Sequence, residues 1–296
     1  MQKMNNTMRK QLLIFVLTCA FGMMASFQAP AQEEVIDGLF EKQHVVNRRP
    51  VPYPSIREAD VLWAKTVWRI IDLREKINLP LYYPTTPMDD RFSLIDLLLE
   101  GIKNGEITAY SPDTEDEFKT TMAYDDVMSA LGAETRIEEI QQEDGTYEER
   151  EVSIAPQTRQ VKQVMVKEMW YFDRNYSKLD VRILGICPIR QYAEEDMESD
   201  EGEGGAVVKQ QAFWVYFPEA RDLLAQYEVF NPYNDAQRRS FDDIFIKRHF
   251  GSYIVRESNV HNNRSIDSYT VGKEAVLESE RIEQEIFNWE QDVWEF

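Results

Sequence analysis

Read for the spacing of apolar positions, the chain divides into an apolar leader, a proline arm, helices, a strand-rich middle and a helical last third. Leu12 to Met24 is apolar but shorter than the ~20 residues a spanning helix needs. Lys3, Arg9 and Lys10 precede it, and Ala29 and Ala31 follow at small-x-small spacing. That order predicts a secretory signal over 1–31, with Gln32 first in the mature chain. Cys19 lies inside the apolar stretch behind Thr18, which argues against a lipoprotein. Residues 32–56 read as an extended arm, in which Pro50, Pro52 and Pro54 alternate with Val51 and Tyr53. The arm is either a tether or a strap on a neighbouring subunit.

From Ser55, with Glu58 at capping-box spacing, a helix is predicted. Ala59, Leu62, Trp63, Thr66, Val67, Ile70 and Ile71 recur at helical spacing. Leu79 to Pro84 reads as an aromatic turn. A second helix starts at Ser93, with Asp96 three residues on, and stops by Gly101 and Gly105. A short strand is expected near Ile107–Tyr110 and a third helix over 115–131.

The middle alternates. Gln157 to Phe172, Leu179 to Ile189 and Ala206 to Phe217 read as antiparallel strands at hairpin spacing. The second carries Ile183 and Cys187 on one side and Leu184 and Ile186 on the other, so it is central or covered by a partner. Between the second and third strands, residues 193–205 hold seven acids, three glycines and no base. Beyond Pro218 helix returns. Ser240 and Asp243 mark another capped start, and Ser252–Val255 is a short strand. A last helix over Lys273–Trp294 places Ile282, Ile286, Trp289 and Val293 on one stripe. Helical spacing at the C-terminus excludes an outer-membrane barrel, whose last strand alternates. The expected fold is α+β: a small antiparallel sheet of two to four strands with flanking helices, as one domain over 57–296.

Charge narrows the function. The net charge is −20, and the first 31 residues hold three of the 33 basic residues and none of the 53 acids, so the remainder carries −23. That excludes a nucleic-acid binder and docking on anionic lipid. Loss of the leader leaves Cys187 as the one cysteine, so no internal disulfide forms.

Catalytic chemistry is hard to find. No Gly-x-Ser-x-Gly elbow, His-Glu-x-x-His pair, Cys-x-x-Cys or phosphate loop occurs. His44, His249 and His261 are scattered. Glu168, Asp173 and Asp180, on or beside the strands, are the carboxylates nearest to a glycosidase pair; turn capping or pairing with Arg174 and Arg182 is the plainer reading. Cys187 reads as a buried inert thiol. Asp196, Glu198 and Asp200 alternate like a calcium loop, but Glu201 stands where glycine is needed and Val207 at the twelfth position cannot ligate. No catalytic residue, metal or cofactor is expected.

Several segments resemble the GldN/PorN family. Glu168-Met169-Trp170-Tyr171-Phe172-Asp173 and Asp180 to Pro188 look like its strand pair. Phe230 to Asp235, Phe241 to Phe245, Phe250 to Asn259 and Ile286 to Glu295 follow in the family's order. The resemblance covers roughly Arg57 to the end, without the arm or the acidic loop. It implies a non-enzymatic periplasmic ring component of the type IX secretion and gliding machinery, peripheral to the outer membrane. Its implied partners are a PorK/GldK-type lipoprotein, the PorM/GldM-type motor and further copies of itself. The aromatic and apolar positions expected at interfaces are Pro50, Pro52, Tyr53, Pro54, Leu184, Ile186, Trp214, Tyr216, Trp289 and Trp294. The competing reading is an exported carbohydrate-active hydrolase or carbohydrate-binding module.

Overall fold

The computed structural model describes residues 47–88, 91–112, 117–141, 147–193, 207–234 and 236–294. The predicted signal, His44, the arm before residue 47 and residues 194–205 of the acidic loop lie outside them. The described residues form one compact unit. The fold is α+β. Its centre is an antiparallel sheet of seven strands, ordered β11-β1-β5-β6-β8-β2, with β7 also on β6. These are β1 (Val61–Asp72), β2 (Ala109–Tyr110), β5 (Val161–Asp173), β6 (Lys178–Ala193), β7 (Val207–Gln211), β8 (Trp214–Tyr216) and β11 (Tyr253–Glu257). The helices are α1 (Leu79–Tyr82), α2 (Leu94–Lys103), α3 (Tyr124–Ala130), α4 (Phe217–Gln226), α5 (Phe241–Ile246) and α6 (Lys273–Trp294). A hairpin of β3 (Glu134–Gln141) and β4 (Tyr147–Ile154) and a small ladder of β9 (Glu228–Val229) and β10 (Arg239–Ser240) complete it.

Seven strands replace the expected two to four, chiefly because residues 61–72 form a strand and not a helix. The pairs Leu62-Trp63, Thr66-Val67 and Ile70-Ile71 match a helical stripe, yet β1 lies inside the sheet and is buried on both faces over Val67–Ile71. Val67 and Ile71 pack on the helix-covered side, and Trp68 and Ile70 on the other. A strand buried twice shows no alternation, so its β-branched and aromatic residues decide the outcome. It pairs β5 along most of its length and β11 on its other edge. The helix expected over 115–131 shortens to α3, and the turn at Leu79–Pro84 contains α1. The strand expected over 206–217 breaks at Ala212-Phe213 into β7 and β8, and Phe217 already belongs to α4. The β3–β4 hairpin has no counterpart in the sequence reading.

Of the three expected caps those at Ser93 and Ser240 form, and that at Ser55 does not, because residues 58–60 are a single 3-10 turn with Arg57 at its N-cap and no side-chain cap before β1 begins. The Asp96 N–H donates to Ser93 Oγ at 3.1 Å. The Asp243 N–H donates to Ser240 Oγ while the Ser240 N–H donates to Asp243 Oδ2, both at 3.2 Å. Each satisfies orphan donors of a first turn. Helices α2, α4 and α5 press Leu97, Leu98, Phe217, Leu224, Phe241 and Phe245 onto Val164, Val166 and Ile186. α6 closes the far end of the same side, with Ile282 and Ile286 against Val67 and Ile254. The opposite side is covered at Glu117-Phe118. Phe118 packs edge-on to Trp214 and Tyr216, over Gly185. Glu117 binds Lys167 and accepts from Trp68 Nε1 at 3.1 Å.

Candidate interaction surfaces

An apolar groove of about 680 Å³ opens between two proline–aromatic segments. One wall is Leu79, Pro80, Tyr83 and Pro84; the other is Phe230, Pro232 and Tyr233, with Met88 at the lip. Buried asparagines fix both walls. Asn78 donates from Nδ2 to the carbonyls of Asp72 and Gly251 and accepts the Gly251 N–H, all within 2.9 Å. Asn231 accepts the Tyr233 N–H at 3.2 Å, an Asx turn that lifts the Tyr233 ring outward. Tyr233 is 85% exposed and Tyr83 54%. Arg91 lies over the Phe230 ring at 5.1 Å, and Lys76 stands on the rim. Among the described residues neither cation has a carboxylate partner in an ion pair. Aromatics left wet beside unpaired cations are the marks of a docking surface.

The arm is a second surface. β8 pairs β6 at Gly185 and Ile186, and β7 pairs it at residues 189–193, so the half from Lys178 to Leu184 has β5 on one side alone. Over that edge Tyr53 sits between Arg182 and Arg221, 4.7 and 4.3 Å from its ring centre. Arg182 donates to the Pro54 carbonyl at 2.9 Å, and Arg48 pairs with Asp243. Burial pushes the Tyr53 phenol up to about 12. Residues 47–56 thus lie on their own domain and shield an open strand edge.

The carboxylates singled out for hydrolysis serve the fold. Glu168 is fully buried, bound to Arg248 Nη1 at 2.7 Å and to Trp170 Nε1 at 3.1 Å. Asp173 accepts the Asn175 N–H and caps the β5–β6 turn. Asp180 accepts from Lys178 Nζ and the Val181 N–H. Asp173 and Asp180 do share a cleft of about 230 Å³ with Tyr171 and Pro54, but Glu168 does not line it. Their expected partners differ: Arg182 turns to the arm, and the Arg174 N–H joins the Asp60 carbonyl. Cys187 is buried and burial pushes its thiol far up, which removes it as a nucleophile. Among the described residues no three of His, Cys, Asp and Glu are placed to hold a metal ion.

Comparison with known families now decides the assignment. The model for the family described as gliding motility associated protein GldN matches residues 56–295. The chain belongs to the GldN family. No curated protein matches it. The GldN match spans nearly the whole domain and runs across the acidic loop, whereas the arm before residue 56 lies outside it. GldN is a gliding-motility component and not a known enzyme family. Among the described residues no helix is long and apolar enough to cross a membrane.

The ten expected interface positions, four of which (Pro50, Pro52, Tyr53 and Pro54) precede the GldN match, fall into four groups. Ile186 and Trp214 are fully buried in the chain's own core. Pro50, Tyr53, Leu184 and Trp289 are half-buried, the last stacked on Trp63 at 4.7 Å. Pro52, Pro54 and Tyr216 are exposed. Trp294 ends α6, and its side chain lies outside the described residues. The groove residues Tyr83, Met88, Phe230 and Tyr233 were not singled out from sequence. Two Pro–aromatic turns 150 residues apart were their signal, and only the tertiary fold joins them.

Proposed function

We propose that the protein is a non-enzymatic structural subunit of a periplasmic ring in the type IX secretion and gliding-motility machinery. It is exported through its leader and sits peripherally at the outer membrane. It assembles with a PorK/GldK-type lipoprotein and meets the periplasmic part of a PorM/GldM-type motor. The GldN match over residues 56–295 carries this reading. The groove supports it as an exposed aromatic surface whose rim cations, Lys76 and Arg91, have no ion-pair partner among the described residues. The −23 on the chain beyond residue 31 predicts a basic surface on the lipoprotein and salt-sensitive assembly.

Affinity purification of the tagged full chain from gently solubilised envelopes tests the reading. The expected result is co-purification of a lipoprotein in a large particle, with recovery falling as salt rises. Recovery of this chain alone contradicts it.

A further inference from the structure

We propose that the outer face of α6 in one copy of this chain docks into the Tyr83–Tyr233 groove of the next copy. The inference rests on the ring reading and names the two faces that join. The groove asks for an occupant with apolar anchors and a carboxylate, since its walls are aromatic and its rim holds Lys76 and Arg91 without ion-pair partners among the described residues. α6 offers that combination. Its buried stripe, Ile282 and Ile286, packs on the sheet. About 100° round the helix run Val276, Glu280, Glu283 and Phe287, at the i, i+4, i+7 and i+11 positions of one stripe.

Val276 is 58% exposed and Phe287 57%. The two anchors lie ~16 Å apart along the helix axis. Glu283 already meets Arg69 of its own chain at 2.8 Å, so Glu280 is the carboxylate left for the groove's cations. This is a helix-in-groove contact with two apolar anchors about three turns apart and a carboxylate between them.

Groove and helix stripe share no residue, so one copy can offer its stripe to the next while its own groove takes the stripe of the one before, which is a head-to-tail contact. Such contacts repeat from copy to copy and close into a ring where the rotation permits. A reciprocal twofold exchange would use both grooves and both stripes in a closed dimer and could not build a ring by this contact.

Cysteine cross-linking in the full chain within cell envelopes tests the pairing. Cys187 is buried and stays silent. Tyr233→Cys with Phe287→Cys in one chain should give, under mild oxidant, a ladder of covalent dimers, trimers and larger species. Each single variant should give at least tenfold less. Adding Lys76→Glu and Arg91→Glu should cut the ladder about tenfold, and adding Glu280→Lys should restore it. If the double variant melts below the parent, Met88→Cys with Val276→Cys replaces it. Absence of a ladder in a particle of unchanged mass overturns the pairing and leaves the ring standing. A double variant that stops at covalent dimers overturns it in favour of a reciprocal twofold contact. Loss of the particle itself in the unmodified chain strikes the ring reading instead.

Discussion

Arg248 and Glu168 make an asymmetric pair, and the asymmetry can be measured. The Glu168 side chain is 0% exposed and the Arg248 side chain 26%. Arg248 also lies over the rings of Trp170 and Phe250, at 5.1 and 5.4 Å. Replacing Arg248 with Met strands a carboxylate that water cannot reach. Breaking a buried pair in this way costs ~3–5 kcal/mol, and the partial exposure of Arg248 places the loss near the low end. Replacing Glu168 with Gln leaves a guanidinium that reaches water and an amide oxygen that still accepts from Trp170, so the loss is about 1 kcal/mol. Urea unfolding followed by tryptophan fluorescence resolves the two, provided the slopes agree. Equal losses, or a larger loss for Glu168→Gln, would refute the reasoning.

Three further outcomes follow from the packing. Gly185→Ala places a Cβ 2.3 Å from the Phe118 ring and 3.0 Å from the Val215 carbonyl, so it should lower stability by ~1–3 kcal/mol in a thermal melt. Trp289→Ala removes the Trp63 stack and the edge contact to Phe172 at 5.5 Å; a loss of about 2 kcal/mol and faster proteolysis in the C-terminal half of α6 are expected. Burial pushes Asp243 up, but Lys247, the Ser240 N–H and Arg48 outweigh it and hold the carboxyl below its ordinary 3.8. A lowered folded value means stability that is complete above pH 3.8 and lost as pH falls through the folded value, so Asp243→Asn should flatten that part of an acid unfolding curve.

Capping chemistry was the most legible part of the sequence. Ser93 with Asp96 and Ser240 with Asp243 are local, three residues apart, and form as spaced. The β5–β6 pair was legible because its turn and its alternation lie side by side. β1 was not, because burial on both faces erases the two-residue period that marks a strand. β11 was found as a strand, but its place beside β1 is a long-range pairing that no local pattern encodes. The groove was invisible for the same reason: Tyr83 and Tyr233 meet only after Asn78 ties its loop to Gly251 and Asn231 turns the other wall. Among the interface positions, aromatic content alone could not separate Trp214, which fills the core, from Tyr216 two residues on, which faces water.

The arm keeps the extended form its prolines predicted and also contacts its own chain. Tyr53 lies between Arg182 and Arg221 of the same chain. Deleting residues 32–54 should therefore cost some stability as well as assembly. A stronger effect on assembly than on the melt supports a strap, and normal assembly removes it.

The central claim is that this chain works as one of many subunits. The mass of the native particle, extracted in mild detergent and measured by light scattering, tests it most directly. The account predicts a large particle containing a lipoprotein together with many copies of this chain, shrinking as salt rises. A stable monomer at low salt, in extracts where the lipoprotein is present, would contradict it.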